Sequence, residues 1–216
     1  MTYIEFVCDR VKQYDIATPI YNNKIAEKLA LEFNLSEKEA LMATAVAIKR
    51  IMDTGIIPEL CFYKKGIYYR TEKTFFGNVG INKELLIRDK YINNNTGYET
   101  GLFLLYKLGL TTQIPNKRVI VTNAAKECTR NDNNLGVTIK PPKTAINANN
   151  KQYLQILDAL EIMDKAPVDA EKPYAIIANY ISKQKLAYHK LLALANDYYN
   201  KNTIMALANT ASVGDV

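Results

Sequence analysis

The sequence has little of the side-chain chemistry from which catalytic sites are commonly built. It contains a single histidine, His189, in a predicted amphipathic helix. No nucleophile signature accompanies it, so neither a Ser–His–Asp nor a Cys–His arrangement is expected. The glycines lack the spacing of a phosphate-binding loop. We therefore expect a protein that is not an enzyme and that requires no cofactor.

Cysteines and long apolar runs are also scarce. Cys8, Cys61 and Cys128 lie far apart and match no metal-binding or redox spacing. An odd number of cysteines without a pairing pattern is typical of the reducing cytosol. No stretch approaches the roughly 18 apolar residues of a membrane span, and residues 1–15 lack the pattern of a signal peptide. We expect a cytoplasmic protein with no bound metal and no membrane partner.

The sequence does carry an excess of positive charge, which is concentrated in its middle third. The 216 residues have a net charge of +6. Residues 1–75 hold 11 basic against 10 acidic residues, residues 76–145 hold 10 against 5, and residues 146–216 hold 7 against 7. A basic excess is typical of proteins that bind polyanions such as nucleic acid. Its position argues against a simple basic N-terminal DNA-binding domain.

The first 71 residues show the pattern of amphipathic helices followed by a hairpin. Ser36 opens one helix with the capping-box residue Glu39, and Gly55 ends it. Two β-prone runs then flank the sequence Lys64-Lys65-Gly66, which indicates a hairpin. The predicted elements are helices over residues 2–14, 22–36 and 36–54 and a hairpin over residues 56–71.

This order of elements is typical of a winged helix-turn-helix. In that motif the third helix enters the major groove of DNA and the hairpin lies along the backbone. Lys64 and Lys65, beside Tyr63 and Arg70, suit phosphate contact at the hairpin tip. The same pattern also fits a small helical subdomain in which the turn lysines keep a strand edge soluble.

Residues 72–216 alternate between helical and strand patterns, and we expect an α+β domain that ends in helices. The block "GYETGLFLLYKLGLTTQIPNKRVIVTN" (97–123) predicts a helix, a tight turn and a strand. Its polar turn, Thr111-Thr112-Gln113 with Asn116, is the part that a scaffold alone does not require. The remaining expectations are helices near residues 84–90, 151–164, 174–200 and 203–210, a strand over 136–140 and a loose tail over 211–216.

Three carboxylates in the helix over residues 151–164 allow two interpretations. Asp158, Glu161 and Asp164 follow one another at a spacing of three, so one helix face could hold a metal ion. They also fit the solvated side of a helix whose leucines face the core, and we favour this second interpretation.

Two stretches of the chain resemble the AbiEi-type antitoxins of type IV toxin–antitoxin systems. They are "RIMDTGII…KKGIYYRTEKTFFG" and the block over residues 97–123, and the later "YLQILDAL" (153–160) is also similar. The resemblance implies that residues 1–71 form a winged helix-turn-helix that binds double-stranded operator DNA and represses its own operon. It implies that residues 72–216 counteract a nucleotidyltransferase-like toxin, as in phage defence by abortive infection.

Carried onto this sequence, the resemblance places the recognition helix at about Ser36–Thr54 and the wing at Leu60–Arg70. Small Ala43 would permit close approach to the groove floor, and Lys38 and Lys49 would reach phosphates. The DNA-binding residues expected are Ser36, Lys38, Met42, Ala43, Lys49, Arg50, Tyr63, Lys64, Lys65 and Arg70.

The sequence departs from this family pattern at two places. The first wing strand contains Glu59 and no basic residue, and the segment after residue 123 is less basic than expected. Fewer phosphate contacts lower both the affinity and its salt dependence. Three other interpretations stay open: an interaction module that has lost DNA binding, a transcriptional regulator without a toxin partner, and an enzyme that uses a metal ion on the Asp158, Glu161 and Asp164 face.

Overall fold

The computed structural model describes residues 1–214 and divides the chain into two compact units, Met1–Leu86 and Ile87–Val216. The predicted α+β class is confirmed. The domain boundary was expected near residue 72, whereas residues 72–86 belong to the first unit. No helix within residues 1–214 combines the length and the apolarity needed to cross a membrane.

The first unit consists of helices and short antiparallel strands. Its helices agree with those predicted, and the hairpin forms around Gly66 as expected. The strand before α2 was not predicted. The elements are α1 (Tyr3–Lys12), β1 (Ile20–Tyr21), α2 (Asn22–Phe33), α3 (Glu37–Thr54), β2 (Leu60–Lys64), β3 (Ile67–Arg70), β4 (Lys73–Thr74) and β5 (Gly77–Asn78).

Local signals in the sequence account for the ends of α3. The Ser36 hydroxyl accepts a hydrogen bond from the Glu39 amide at 3.4 Å, and the Glu39 carboxylate accepts one from the Ser36 amide at 3.1 Å. These two bonds satisfy amides that the first turn of a helix leaves without partners. Gly55 ends the helix with φ 66°, a conformation that glycine adopts without steric cost.

The strands of the first unit form one sheet and one separate ribbon. In the sheet the order is β1-β3-β2, and both pairings are antiparallel. The helices bury a shared apolar core below it, to which α1 contributes Phe6 and Val7 and α3 contributes Ile48 and Ile51. The ribbon pairs β4 with β5 outside this sheet.

The second unit packs a mixed sheet against helices. The sheet order is β6-β7-β9-β8, with β7 and β9 parallel and the other pairs antiparallel. After α4 (Lys83–Ile87), where the units divide, and a π-helical turn (Arg88–Ile92), the elements are β6 (Gly97–Thr100), α5 (Leu102–Lys107), β7 (Arg118–Thr122), β8 (Arg130–Asp132), β9 (Val137–Lys140), α6 (Lys151–Met163), α7 (Pro173–Lys183), α8 (Tyr188–Tyr198) and α9 (Lys201–Gly214).

Helix α6 is the centre of the second core. Leu154, Leu157 and Leu160 are fully buried on it, as their spacing predicts, and they pack with side chains of β6, α5 and the C-terminal helices. Two expectations for this unit were wrong. Gly97–Thr100 is a strand rather than the start of a helix, and α9 continues to Gly214 where a loose tail was expected. The last two residues of that tail lie outside the described residues.

Candidate nucleic-acid interface

Helix α3 presents a mixed basic and apolar face to solvent. Its inward side is fixed by Ala40, Thr44 and Ala47, which are buried. Ala43, expected on the outer face, is half-buried and packs against the core instead, because the helix turns it toward its neighbours. The exposed basic and apolar side chains include Lys38, Met42, Ala45, Val46, Lys49 and Arg50, and the acidic residues Glu37, Glu39 and Asp53 of the same helix are exposed as well.

The hairpin between β2 and β3 carries the second basic surface. Lys64 and Lys65 are exposed at its tip, Tyr63 is half-buried, and Gly66 makes the turn with φ 77°. The Asn22 amide donates a hydrogen bond to the Gly66 carbonyl at 2.9 Å, which holds the start of α2 against this tip.

This contact brings a residue that the sequence interpretation missed close to the hairpin. Lys24, in the first turn of α2, is exposed, and its ammonium lies 4.9 Å from the centre of the Tyr21 ring. Because β1 pairs with β3 of the hairpin, Tyr21 and the start of α2 that follows it lie beside the hairpin. A two-residue strand such as β1 gives no recognisable pattern in the sequence, so the proximity of Lys24 could not be predicted.

Arg70 is not available for DNA, contrary to expectation. Its guanidinium pairs with the Glu59 carboxylate at 3.0 Å and donates hydrogen bonds to the carbonyls of Lys12 at 2.9 Å and Tyr14 at 2.8 Å. Those carbonyls lie at the end of α1, where a helix leaves acceptors without internal partners. Arg70 therefore closes the base of the hairpin onto α1.

Two of the acidic residues near this surface, Glu39 and Glu59, are engaged in contacts of their own, whereas Asp53 is exposed. Glu59 binds Arg70, and Glu39 folds back onto Ser36, whose hydrogen bonds hold the pKa of the Glu39 carboxyl below its usual value. Glu37 is exposed. Ser36 itself serves as the helix cap. Within residues 1–214, no ion pair engages the four lysines Lys38, Lys49, Lys64 and Lys65.

A second polar constellation is buried in the second unit, around Asp158. This carboxylate was expected on the solvated face of its helix, but it faces the core. It accepts hydrogen bonds from the hydroxyls of Tyr199 at 2.7 Å, Tyr98 at 3.2 Å and Thr100 at 3.2 Å. Burial raises the pKa of Asp158, and the three hydroxyl donors oppose that rise. The cluster joins β6, α6 and the end of α8 through one shared acceptor.

The alternation of side chains along β6 builds this cluster. Tyr98 and Thr100 point to one face of the sheet, toward α6, and Glu99 points to the other. There Glu99 pairs with Lys107 and Arg118, whose charged groups also lie 4.6 Å and 4.7 Å from the centre of the Phe103 ring. Strand β6, at the start of the block that suggested the family resemblance, therefore carries buried polar side chains on both of its faces.

The three acidic residues of α6 do not form a metal site. Asp158 is buried, Glu161 pairs with Lys143 at 2.7 Å, and Asp164 is exposed at the end of the helix. Across residues 1–214, no group of three His, Cys, Asp or Glu side chains is arranged to hold a metal ion. A cavity of about 170 Å³ lies beside Asp158, Thr100 and Lys143.

The polar turn after α5 is mainly a structural feature. Thr111 is buried. The Asp169 carboxylate accepts hydrogen bonds from the Thr112 amide at 3.0 Å and from its hydroxyl at 2.6 Å. Gln113 and Asn116 are exposed and remain open to a partner.

No protein-family model matches the chain, and no curated protein matches it.

Proposed function

We propose that the first unit is a winged helix-turn-helix that binds double-stranded DNA. The observation that carries the proposal is its topology. The element order α1-β1-α2-α3-β2-β3 and the sheet order β1-β3-β2 fit the order of a winged helix-turn-helix. In that motif the third helix occupies the major groove and the hairpin follows the backbone. Both elements carry exposed lysines that form no ion pair with any described residue, and these lysines support the proposal.

The contacts proposed for DNA differ from those expected from the sequence. On α3, Lys38, Lys49 and Arg50 bind phosphates at the groove edges, and Met42 contacts base edges. At the hairpin tip Lys64 and Lys65 bind the backbone, with Tyr63 beside them. Lys24 adds a phosphate contact from the start of α2. Ser36, Ala43 and Arg70 act within the protein, as cap, packing residue and hairpin anchor.

We further propose that the protein represses its own operon and counteracts a nucleotidyltransferase-like toxin as an antitoxin, and that it is not itself an enzyme. The resemblance to the AbiEi-type antitoxins supports this part of the proposal. The near balance of charge in the first unit favours modest affinity for one site, with several copies binding together on an operator.

A mobility-shift assay with the promoter of the protein's own operon tests the DNA part. We expect binding to this duplex to exceed binding to a scrambled duplex of equal length at the same salt concentration. Equal binding to both would contradict operator recognition. Growth rescue on co-expression with a nucleotidyltransferase encoded beside it tests the antitoxin part, and failure there leaves the DNA result unaffected.

One observation favours a second candidate, an interaction module without DNA binding. The outer surface of α2 and α3 exposes Leu31, Leu41, Met42 and Val46. Exposed apolar patches commonly mark protein-binding surfaces. The absence of any binding to duplex DNA at low salt would favour this candidate, because phosphate contacts are strongest there.

A further inference from the structure

The β4–β5 ribbon holds two phenylalanines in solvent. Phe75 and Phe76 are 97% and 96% exposed, and their rings pack only edge to face against each other at 5.4 Å. The base of the ribbon is well fastened, because the Thr71 hydroxyl donates to the Val79 carbonyl at 2.8 Å and the Val79 amide donates to the Glu72 carbonyl at 3.0 Å. The ribbon is thus an apolar tip on an anchored stem.

The turn itself does not explain these two residues. Thr74 pairs with Gly77, so Phe75 and Phe76 are the two residues of the loop. The turn takes its positive φ at Gly77 (109°), and Phe75 and Phe76 keep ordinary negative φ values. Such loop positions accept most residue types, so the turn does not call for phenylalanine. Burial against another surface is the contribution that two adjacent phenyl rings make best.

The same unit contains an apolar groove that is open to solvent. It lies between α2 and the start of α3 and has a volume of about 430 Å³. Its apolar lining consists of Ala26, Ala30, Leu31 and Leu41, with Leu31 86% exposed, and Asn23 also lines it. The two alanines are small and leave room for large side chains from outside.

Charge complements shape at these two surfaces. The charged residues that line the groove are Glu27 and Glu37. The ribbon Lys73–Asn78 carries one charged residue, Lys73, at the foot of its tip, and Glu72 lies one residue farther from the phenylalanines. The ribbon leaves the groove of its own chain unfilled, since both phenyl rings stand almost wholly in solvent.

We propose that Phe75 and Phe76 of one copy of this chain dock in the α2–α3 groove of a second copy. A two-fold arrangement satisfies both copies at once, because each gives its ribbon and receives the other's. The contact goes beyond DNA binding and does not depend on it.

Sedimentation velocity of the full chain across about a hundredfold range of concentration tests the proposal. Wild type is expected to shift from monomer toward dimer as concentration rises. Phe75→Ser with Phe76→Ser is expected to remain monomeric. The matched control is Ile114→Ser, which alters a 73% exposed apolar residue of the second unit and keeps wild-type association. A wild type that stays monomeric throughout overturns the proposal.

A groove variant separates this contact from pairing between two ribbons. Because Leu31 is exposed, the change Leu31→Glu spares the core. This variant is expected to abolish association as fully as the ribbon variant does. Mixing the two variants restores one ribbon–groove contact per pair, so a mixed dimer reappears at high concentration. Association that survives Leu31→Glu overturns the groove as the docking site.

Photo-crosslinking locates the contact directly. Phe76→p-benzoylphenylalanine is expected to yield a crosslinked dimer whose joined peptide falls within residues 23–41 of the other copy. Mixing isotopically labelled and unlabelled chains distinguishes a crosslink between copies from one within a copy. Crosslinks confined to a single copy, or to any other region, overturn the proposal.

Discussion

At the scale of single residues, the neighbours of a side chain decide its role more than its charge does. Arg70 belongs to the basic hairpin, yet its guanidinium binds the Glu59 carboxylate and two carbonyls at the end of α1. A sequence pattern marks such a residue as basic and close to the tip. It carries no information on partners 56 and 58 positions away, so its structural role could not be predicted.

Arg70→Ala is therefore expected to lower stability. The change removes a charge-assisted pair and leaves two carbonyls without their donor, which corresponds to about 1.5–3 kcal/mol. Urea unfolding of the full chain, followed by circular dichroism, measures the loss. Lys64→Ala is the control, because this exposed lysine has no ion pair within the described residues and its loss leaves stability within about 0.5 kcal/mol. Equal effects of the two changes would contradict the assignment.

Asp132 in the second unit is expected to make stability depend on pH. Burial alone would raise the pKa of Asp132, but hydrogen bonds from Lys90 and Tyr91 outweigh it and lower the pKa from 3.8 to about 2. A lowered pKa means that the carboxylate stabilises the folded state above pH 3.8. This contribution is lost as pH falls through about 2.

Asp132→Asn is the variant that isolates this effect. We expect it to cost at most about 2 kcal/mol at neutral pH, since solvent screens the partly exposed Lys90. Its stability should also change less than that of wild type between pH 4 and pH 2. Unfolding free energies measured across this range give the comparison, and parallel curves for the two proteins would rule out Asp132 as the source.

At the scale of elements, the second unit depends on a strand that starts with an indispensable glycine. A Cβ atom at Gly97 would lie 2.0 Å from the Tyr91 carbonyl oxygen and 2.8 Å from that of Val121. Because both atoms belong to the backbone, neither moves aside cheaply. Gly97→Ala is expected to cost more than about 3 kcal/mol or to prevent folding. Gly80→Ala is the control, since nothing lies within 4 Å of its added Cβ, and thermal unfolding compares the two.

Helices were predictable from the sequence where the apolar spacing and the end signals agreed. In α3 the capping box at Ser36 and the glycine at Gly55 mark the two ends, and the helix forms between those signals. Strand β6 was missed because four residues are too few for a clear pattern and because its pairing with β7 outweighs local preference. Asp158 was misplaced because the hydroxyls of Tyr98 and Tyr199 that make its burial tolerable lie far away in the sequence.

At the scale of the whole molecule, the two units each contain a core of their own. Under the proposed function, DNA binding and toxin neutralisation therefore separate by mutation. Lys64→Ala with Lys65→Ala is expected to weaken binding to all duplexes alike and to lower the salt dependence of binding by about two phosphate contacts. Growth rescue against the toxin is expected to stay at the wild-type level.

Titration of operator and scrambled duplex at several salt concentrations measures the DNA affinity and its salt dependence. Co-expression with the toxin measures growth rescue. Lys117→Ala with Lys126→Ala is a matched control, because it removes the same charge from exposed positions of the second unit. A changed sequence preference with unchanged salt dependence would speak against backbone contacts at the hairpin tip.

The close packing at Gly97 also has a consequence for genetics. Under the proposed antitoxin function, a random library selected for loss of toxin neutralisation will be enriched in substitutions at Gly97, since any side chain there collides with two backbone oxygens. Such clones will resemble those that lose a partner-binding residue. Comparing the amount of soluble protein made by each clone separates the two classes, and only clones with wild-type abundance map a surface that touches the toxin or its substrate.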